Sequence, residues 1–303
     1  MYDNSDPRSR LTPASAPVPA SSAEYAAAEY VKFYEIEPQE SGARDKTWYA
    51  RGQNFIVALS EAEPGATLVR QGQPDEYVIL LEHADTAIEV SSGGETVSVP
   101  GYSIVMVPPG DSKVTVPNGG RIVRLFTARA EDLTAKCANA VSYSKPHPHI
   151  PPLEAWPDPV DGTRIRHYSL DVPKQEGRFG KIFRCTTFMV NFFEPVTGPR
   201  DTTLLSPHHH DDFEQCSLAL EGSYMHHIRW PWTKDMSTWR EDEHELCGAP
   251  SVCVIPPPSI HTSRWLDEGS NQLVDIFSPP RVDFSKQDGW VLNADDYPMP
   301  DTV

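Results

Sequence analysis

The sequence predicts an all-β protein of two tandem β-domains, and three observations carry that prediction. The 303-residue chain holds 30 prolines and 18 glycines, and its β-branched and aromatic residues fall in short runs between turn clusters, a texture of many strands and not of a helical bundle. A series of strand-like segments in the first half recurs in the same order in the second half. The length leaves room for two moderate domains, each with a core of its own.

Residues 1–45 open with a Pro/Ala/Ser-rich stretch too poor in apolar surface to order itself, then a short helix at 24–31; this segment is expected to be a tail or arm. From Asn54 onward, apolar runs at 54–60, 77–90, 102–110 and 121–128 alternate with Gly- and Pro-bearing turns, which predicts a first β-domain over 46–135. A Pro-rich connector at 136–164 leads to a second β-domain over 165–285, and 286–303 is expected to be a C-terminal tail. The duplication is visible residue by residue. Ser103 to Lys113 lies without a gap on Ser251 to His261, Ile122 to Leu133 lies on Leu273 to Phe284, and Asp75-Glu76 heads a strand as Phe213-Glu214 does.

Composition narrows the function. With 26 Lys and Arg against 43 Asp and Glu, the net charge of -17 repels phosphate backbones and anionic lipid, so neither nucleic acid nor membrane is an expected partner. A secretory signal is absent from the first thirty residues and no run is long enough to span a bilayer, which predicts a cytoplasmic protein. The five cysteines, Cys137, Cys185, Cys216, Cys247 and Cys253, form no C-x-x-C pair and read as reduced core residues.

The chemistry is concentrated in the second half. Pro207-His208-His209-His210-Asp211-Asp212-Phe213-Glu214 runs into a strand over 215–220. Residues two apart on a strand share a face, so His208 and His210 are expected to converge, with Glu214 on the same parity and His261 arriving from an antiparallel neighbour. Three imidazoles and a carboxylate would make a site for one divalent ion with positions left open for substrate. His147 and His149 also form an H-x-H, but in a Pro-rich segment without strand pattern, and they are read as linker.

These residues resemble the two motifs of the cupin superfamily. The first reads here His208-x-His210-x3-Glu214-x7-Gly222 and the second Gly248-x7-Pro256-x-Pro258-x2-His261. The spacing is one residue long before Gly222 and two before Pro256, Pro258 stands for a usual glycine, Trp265 for a usual asparagine, and no glycine precedes His208. The resemblance implies a double-stranded β-helix (jelly-roll) barrel for each half, hence a bicupin, with His208, His210, Glu214 and His261 as metal ligands in the second barrel. In the first barrel it places Arg70, Gly72 and Lys113 where ligands would stand, so that Lys113, with Arg70, is expected to pair with Glu76 in place of a metal.

Around the expected ion, His226 and His227 follow Gly222 on the returning strand, and one of them should face inward; Tyr224 and Arg229 on the same strand are candidates to contact a substrate carboxylate. Cys216 is read as core packing. The insertion at 230–245, with three tryptophans, is either a solvated hairpin or a lid over the barrel mouth, with the lid favoured. The resemblance implies a metal-dependent oxidoreductase, a dioxygenase acting on a small oxygenated organic acid, enolic or phenolic substrate, with Fe(II) or Mn(II) preferred over Ni, Co, Cu or Zn. A non-redox isomerase, lyase or cyclase and a non-catalytic binding or storage protein are the alternatives. The expected partner is a small-molecule substrate, with a homo-oligomer left open.

Overall fold

The computed structural model describes residues 7–10 and 25–301. Nearly all its regular structure is antiparallel β. In the first half, a large sheet carries Asp45–Arg51, Phe55–Ala62, Gly120–Thr127, Tyr77–Leu81 and Ser103–Val107 side by side, and a second sheet of Ala66–Gln73, Gly110–Val116, Ile88–Ser92 and Glu95–Val99 closes over it. The second half repeats this plan with Lys181–Arg184, Met189–Phe192, Ser270–Phe277, Gln215–Glu221 and Ser251–Ile255, closed by Ile260–Trp265, Ser223–Arg229 and Glu243–Gly248.

The two large sheets pack back to back, and this explains why their strands are apolar on both faces. In Tyr77–Leu81, Tyr77, Ile79 and Leu81 fill the first barrel, while Val78 and Leu80 join a core shared with the second half. Phe55, Val57 and Leu59 face Cys216, Leu218, Val252, Val254, Val274 and Ile276 across that shared core. All five cysteines are buried and unpaired.

The halves also exchange strands, which corrects the domain boundaries. Glu29–Lys32, placed by sequence in an arm with a helix at 24–31, is a strand on the edge of the second barrel, with Tyr30 opposite Cys253 and Val31 opposite Val252. Reciprocally, Arg166–Ser169, placed in the second domain, pairs with Ser103–Val107 of the first, His167 opposite Val105. Each half thereby covers an edge of the other.

A repeated device ties each barrel to the segment that follows it. Asn139 holds the backbone of Arg51 from both sides, accepting from its N–H (2.9 Å) and donating to its C=O (2.8 Å); Asn293 does the same to Arg184 (3.0 and 2.8 Å). Four residues beyond each asparagine stands a buried tyrosine, Tyr143 or Tyr297. The segment after 285 is therefore a structural clamp and not a loose tail, with Trp290, Val291, Asn293 and Tyr297 all buried.

The expected ion pair in the first barrel does not form. Lys113 is exposed on Gly110–Val116, and its inward neighbour Ser112 hydrogen-bonds Tyr77. Arg70 instead makes a two-pronged pair with Asp132 (2.5 and 2.8 Å). Glu76 points out of its barrel and accepts from the Thr186 amide (3.0 Å), the Thr186 hydroxyl (3.0 Å) and the Tyr297 hydroxyl (2.7 Å).

Candidate metal centre

His208 and His261 are brought together by the backbone: the N–H of each donates to the C=O of the other (3.0 and 2.8 Å), a two-residue bridge that sets the side chains next to each other. His210, two residues on, shares their side. The ring centroids of His208, His210 and His261 lie 4.4 to 5.1 Å apart, and one nitrogen from each falls within 4.8 Å of the other two.

Each ring is oriented by an acceptor. Nδ1 of His208 lies 2.9 Å from the Ser206 carbonyl and Nδ1 of His261 lies 3.1 Å from the Ser259 carbonyl. A carbonyl can only accept, so the protons sit on Nδ1 and the lone pairs on Nε2. Nε2 of His261 is buried without any hydrogen-bond partner. His210 is reversed: its Nε2 meets Gln215 Oε1 at 2.9 Å, leaving Nδ1 as the lone-pair nitrogen. Burial, the largest cause, and neighbouring positive charge push all three well down, His261 to about 4, so the rings are neutral at pH 7. Three neutral, pre-oriented imidazoles with an orphaned buried lone pair among them fit a divalent ion.

No protein-family model matches the chain, and no curated protein matches its sequence. Among solved structures it is similar to AerE from Microcystis aeruginosa, with a TM-score of 0.54 at 10% identity over 84% of this chain and 99% of that one. It is similar to the oxalate decarboxylase of Lactobacillus farciminis in its formate complex (0.54, 11%, 86% and 88%). Vicilin from Corylus avellana is related to the same degree (0.54, 14%, 84% and 85%). The fold is that of a bicupin.

Glu214, expected as the fourth ligand, is not part of the histidine group. Its Oε2 accepts from the Gln53 amide of the other half at 2.6 Å, with Tyr143 and the Asn54 amide alongside, and its Oε1 is buried without a hydrogen-bond partner. Burial raises its pKa to about 7. The parity count failed because residues 211–214 are an irregular bend and not strand, so the alternation restarts at Gln215.

Gln215 is consequently the side chain that enters the barrel. It ties His210 to Asp275 through Nε2 (3.1 Å), and Asp275 Oδ1 also accepts from Ser217 (2.9 Å). Burial raises Asp275 to about 6. The ring of Phe213 stacks on His210 at 4.4 Å, and Arg281 lies over Phe213, Phe277 and Phe284. Arg8, in the 3-10 turn Pro7–Arg10, donates to Ser206 Oγ (3.2 Å) and lies over Phe179, and its charge is felt at His208 and His261. Nothing local in the sequence marks Arg8 or Arg281; the interior placement of Gln215 and Asp275 becomes readable only once the strand register is known.

On the returning strand the facing is settled by burial. His226 points inward, with Nδ1 2.8 Å from Ser263 Oγ and a buried, unpartnered Nε2, and Tyr224 lies inside two residues away. His227, one of the two histidines of which one was expected to face inward, and Arg229, a candidate substrate contact, lie on the outer face: His227 pairs with His244 (2.7 Å), and Arg229 with Asp242 (2.6 Å). The insertion at 230–245 is a hairpin connection and not a lid of three tryptophans. Trp230 alone is buried; Trp232 stacks on Trp239 at 4.8 Å and is 78% exposed. His149 accepts from the Ala26 amide (3.0 Å), and His147 joins Gln53, so both serve the connector. No helix among the described residues is long and apolar enough to cross a membrane.

Proposed function

We propose that this bicupin is a metal-dependent enzyme with one divalent ion per chain, held by His208, His210 and His261, and that it acts on a small oxygenated anion. The single observation behind this is the set of three rings, His210 and His261 buried and His208 partly so, whose remaining nitrogens converge while their other nitrogens are locked on Ser206, Ser259 and Gln215. An all-nitrogen set without Glu214 favours Fe(II), Zn, Co, Ni or Cu over Mn(II), which prefers oxygen ligands. We retain Fe(II) and an oxygenase-type oxidation of an organic acid, enol or phenol as the leading reaction. When bound, the ion would supply Lewis acidity and, as iron, redox capacity.

The chain's own residues do the rest. Gln215, anchored by Asp275 and Ser217, fixes the ring plane of His210. Arg8 and Arg281 add positive potential around the cluster and favour an anionic substrate. His226, in hydrogen bond with Ser263, keeps Nε2 to give or take a proton-bearing contact inside the barrel. Phe213 and Phe277 wall His210 from water.

The three-nitrogen set equally suits a non-redox ion that polarises a carbonyl, so a lyase or isomerase is the second reading. Metal analysis of protein purified without added metal should find one ion per chain, lost in His208→Ala and His261→Ala. Oxygen uptake with a panel of small oxo-acids, enols and phenols then separates the two reactions. Unchanged metal content in both alanine variants would overturn the proposal.

A further inference from the structure

The first barrel has no metal ligands, yet its interior is not inert. On Gly120–Thr127, the alternate residues Ile122, Arg124 and Phe126 face inward, which carries a guanidinium into the barrel beside the buried Ser60 and Arg70. Arg124 is 6% exposed. One of its nitrogens donates to Ser60 Oγ (3.2 Å), its Nε is buried without a partner, and no carboxylate lies within ion-pair distance of it among the described residues, although its charge reaches Glu40. The nearby charges are otherwise matched: Arg70 is taken by Asp132 and Gln73, and Lys136 by Glu40, which also accepts from Tyr49. Asp45 stands at the rim, half-buried, outside any ion pair with Arg124.

These residues line a cavity of about 150 Å³, bounded by Arg124, Arg70, Lys136 and Tyr49, with the carboxylates of Glu40 and Asp45 also on its wall, the room of roughly five waters. Arg124 and Arg70 flank the ring of Phe126 from 5.6 Å each. A buried guanidinium with an unmet N–H is costly unless an acceptor reaches it. A planar or tetrahedral oxyanion would meet it with charge-assisted hydrogen bonds, and Arg is the side chain suited to that geometry.

We infer that the first barrel is a binding site for a small oxyanion, a carboxylate or phosphate, with Arg124 as its anchor, Arg70 as a flanking cation and Lys136 at its mouth. The site is independent of the histidine cluster and of any metal there. The role this gives the first barrel is recognition and not chemistry.

The test uses the full chain with its metal, titrated calorimetrically with inorganic phosphate, acetate and malonate, against chloride at equal ionic strength. At least one oxyanion should bind saturably at one site per chain, and the one that binds identifies the headgroup. Arg124→Met should weaken that binding by about tenfold or more with metal content unchanged, and without added anion should melt no lower than the parent. Should Arg124→Met fail to fold, Lys136→Met, which removes the cation at the mouth and the partner of Glu40, should weaken binding severalfold. Saturation by none of the three anions, or undiminished affinity in the folded variants, would overturn the assignment.

Discussion

Glu76 and Glu214 occupy equivalent positions in the two halves, and each reaches out of its own barrel to accept the backbone amide at the hairpin turn of the other, Thr186 for Glu76 and Gln53 for Glu214. A tyrosine from the segment following each barrel stands beside each carboxylate, Tyr297 bonded to Glu76 and Tyr143 near Glu214. The residue that a motif reading makes a metal ligand is thus half of a reciprocal clasp between barrels.

The clasp and the ligand readings of Glu214 predict different things of Glu214→Gln. The amide oxygen of Gln can still accept from Gln53, so the variant should keep its full metal complement, whereas His261→Ala should lose it. Metal analysis of the two proteins, purified side by side, decides between the readings.

Glu214 also sets a pH dependence. Its folded pKa of about 7 stands above the ordinary 4.5, so between those values the native state holds a proton that the unfolded chain has lost. Its contribution is therefore fully present below pH 4.5 and declines as pH rises to about 7, by on the order of 3 kcal/mol. Urea midpoints from pH 5 to 8 should fall more steeply for the parent than for Glu214→Gln.

The paired asparagines should be near equivalents. Asn139→Ala and Asn293→Ala each leave the N–H and C=O of an arginine, Arg51 or Arg184, without their partner, a loss of ~1–3 kcal/mol. Chemical unfolding should show both falling in that range, with Asn293 at the upper end because the Arg184 pairing is wholly buried.

Gln215 should matter to metal affinity and little to the fold. Gln215→Leu removes the acceptor that orients His210, for which a loss of about 10–100-fold in metal affinity is expected. Competition against a chelator measures it, and an unchanged affinity would remove Gln215 from the site.

On the strand Ser223–Arg229 the two faces should separate cleanly. His227→Ala and Arg229→Ala alter the outer face and should leave turnover within about twofold of the parent. His226→Phe, which fills the same buried space without a nitrogen, should depress turnover while metal content holds. Steady-state kinetics on any substrate found in the screen distinguishes them.

Much of this was legible from residue order alone: the all-β texture, the duplication, and His208, His210 and His261 as the three rings that meet. A further repeat lay in plain view, Asn139-Ala-x-x-Tyr143 against Asn293-Ala-x-x-Tyr297, though only the contacts give it meaning. Alternation cannot say which face of Gln215–Glu221 is barrel and which is interface, because both are buried, and it cannot be carried across the bend at 211–214. The exchange of Glu29–Lys32 and Arg166–Ser169, the approach of Arg8, and the lone Arg124 depend on pairings between residues distant in sequence. Local pattern governs whether a segment forms a strand and which side chains alternate; which surface each alternate meets is decided when the two barrels close on each other.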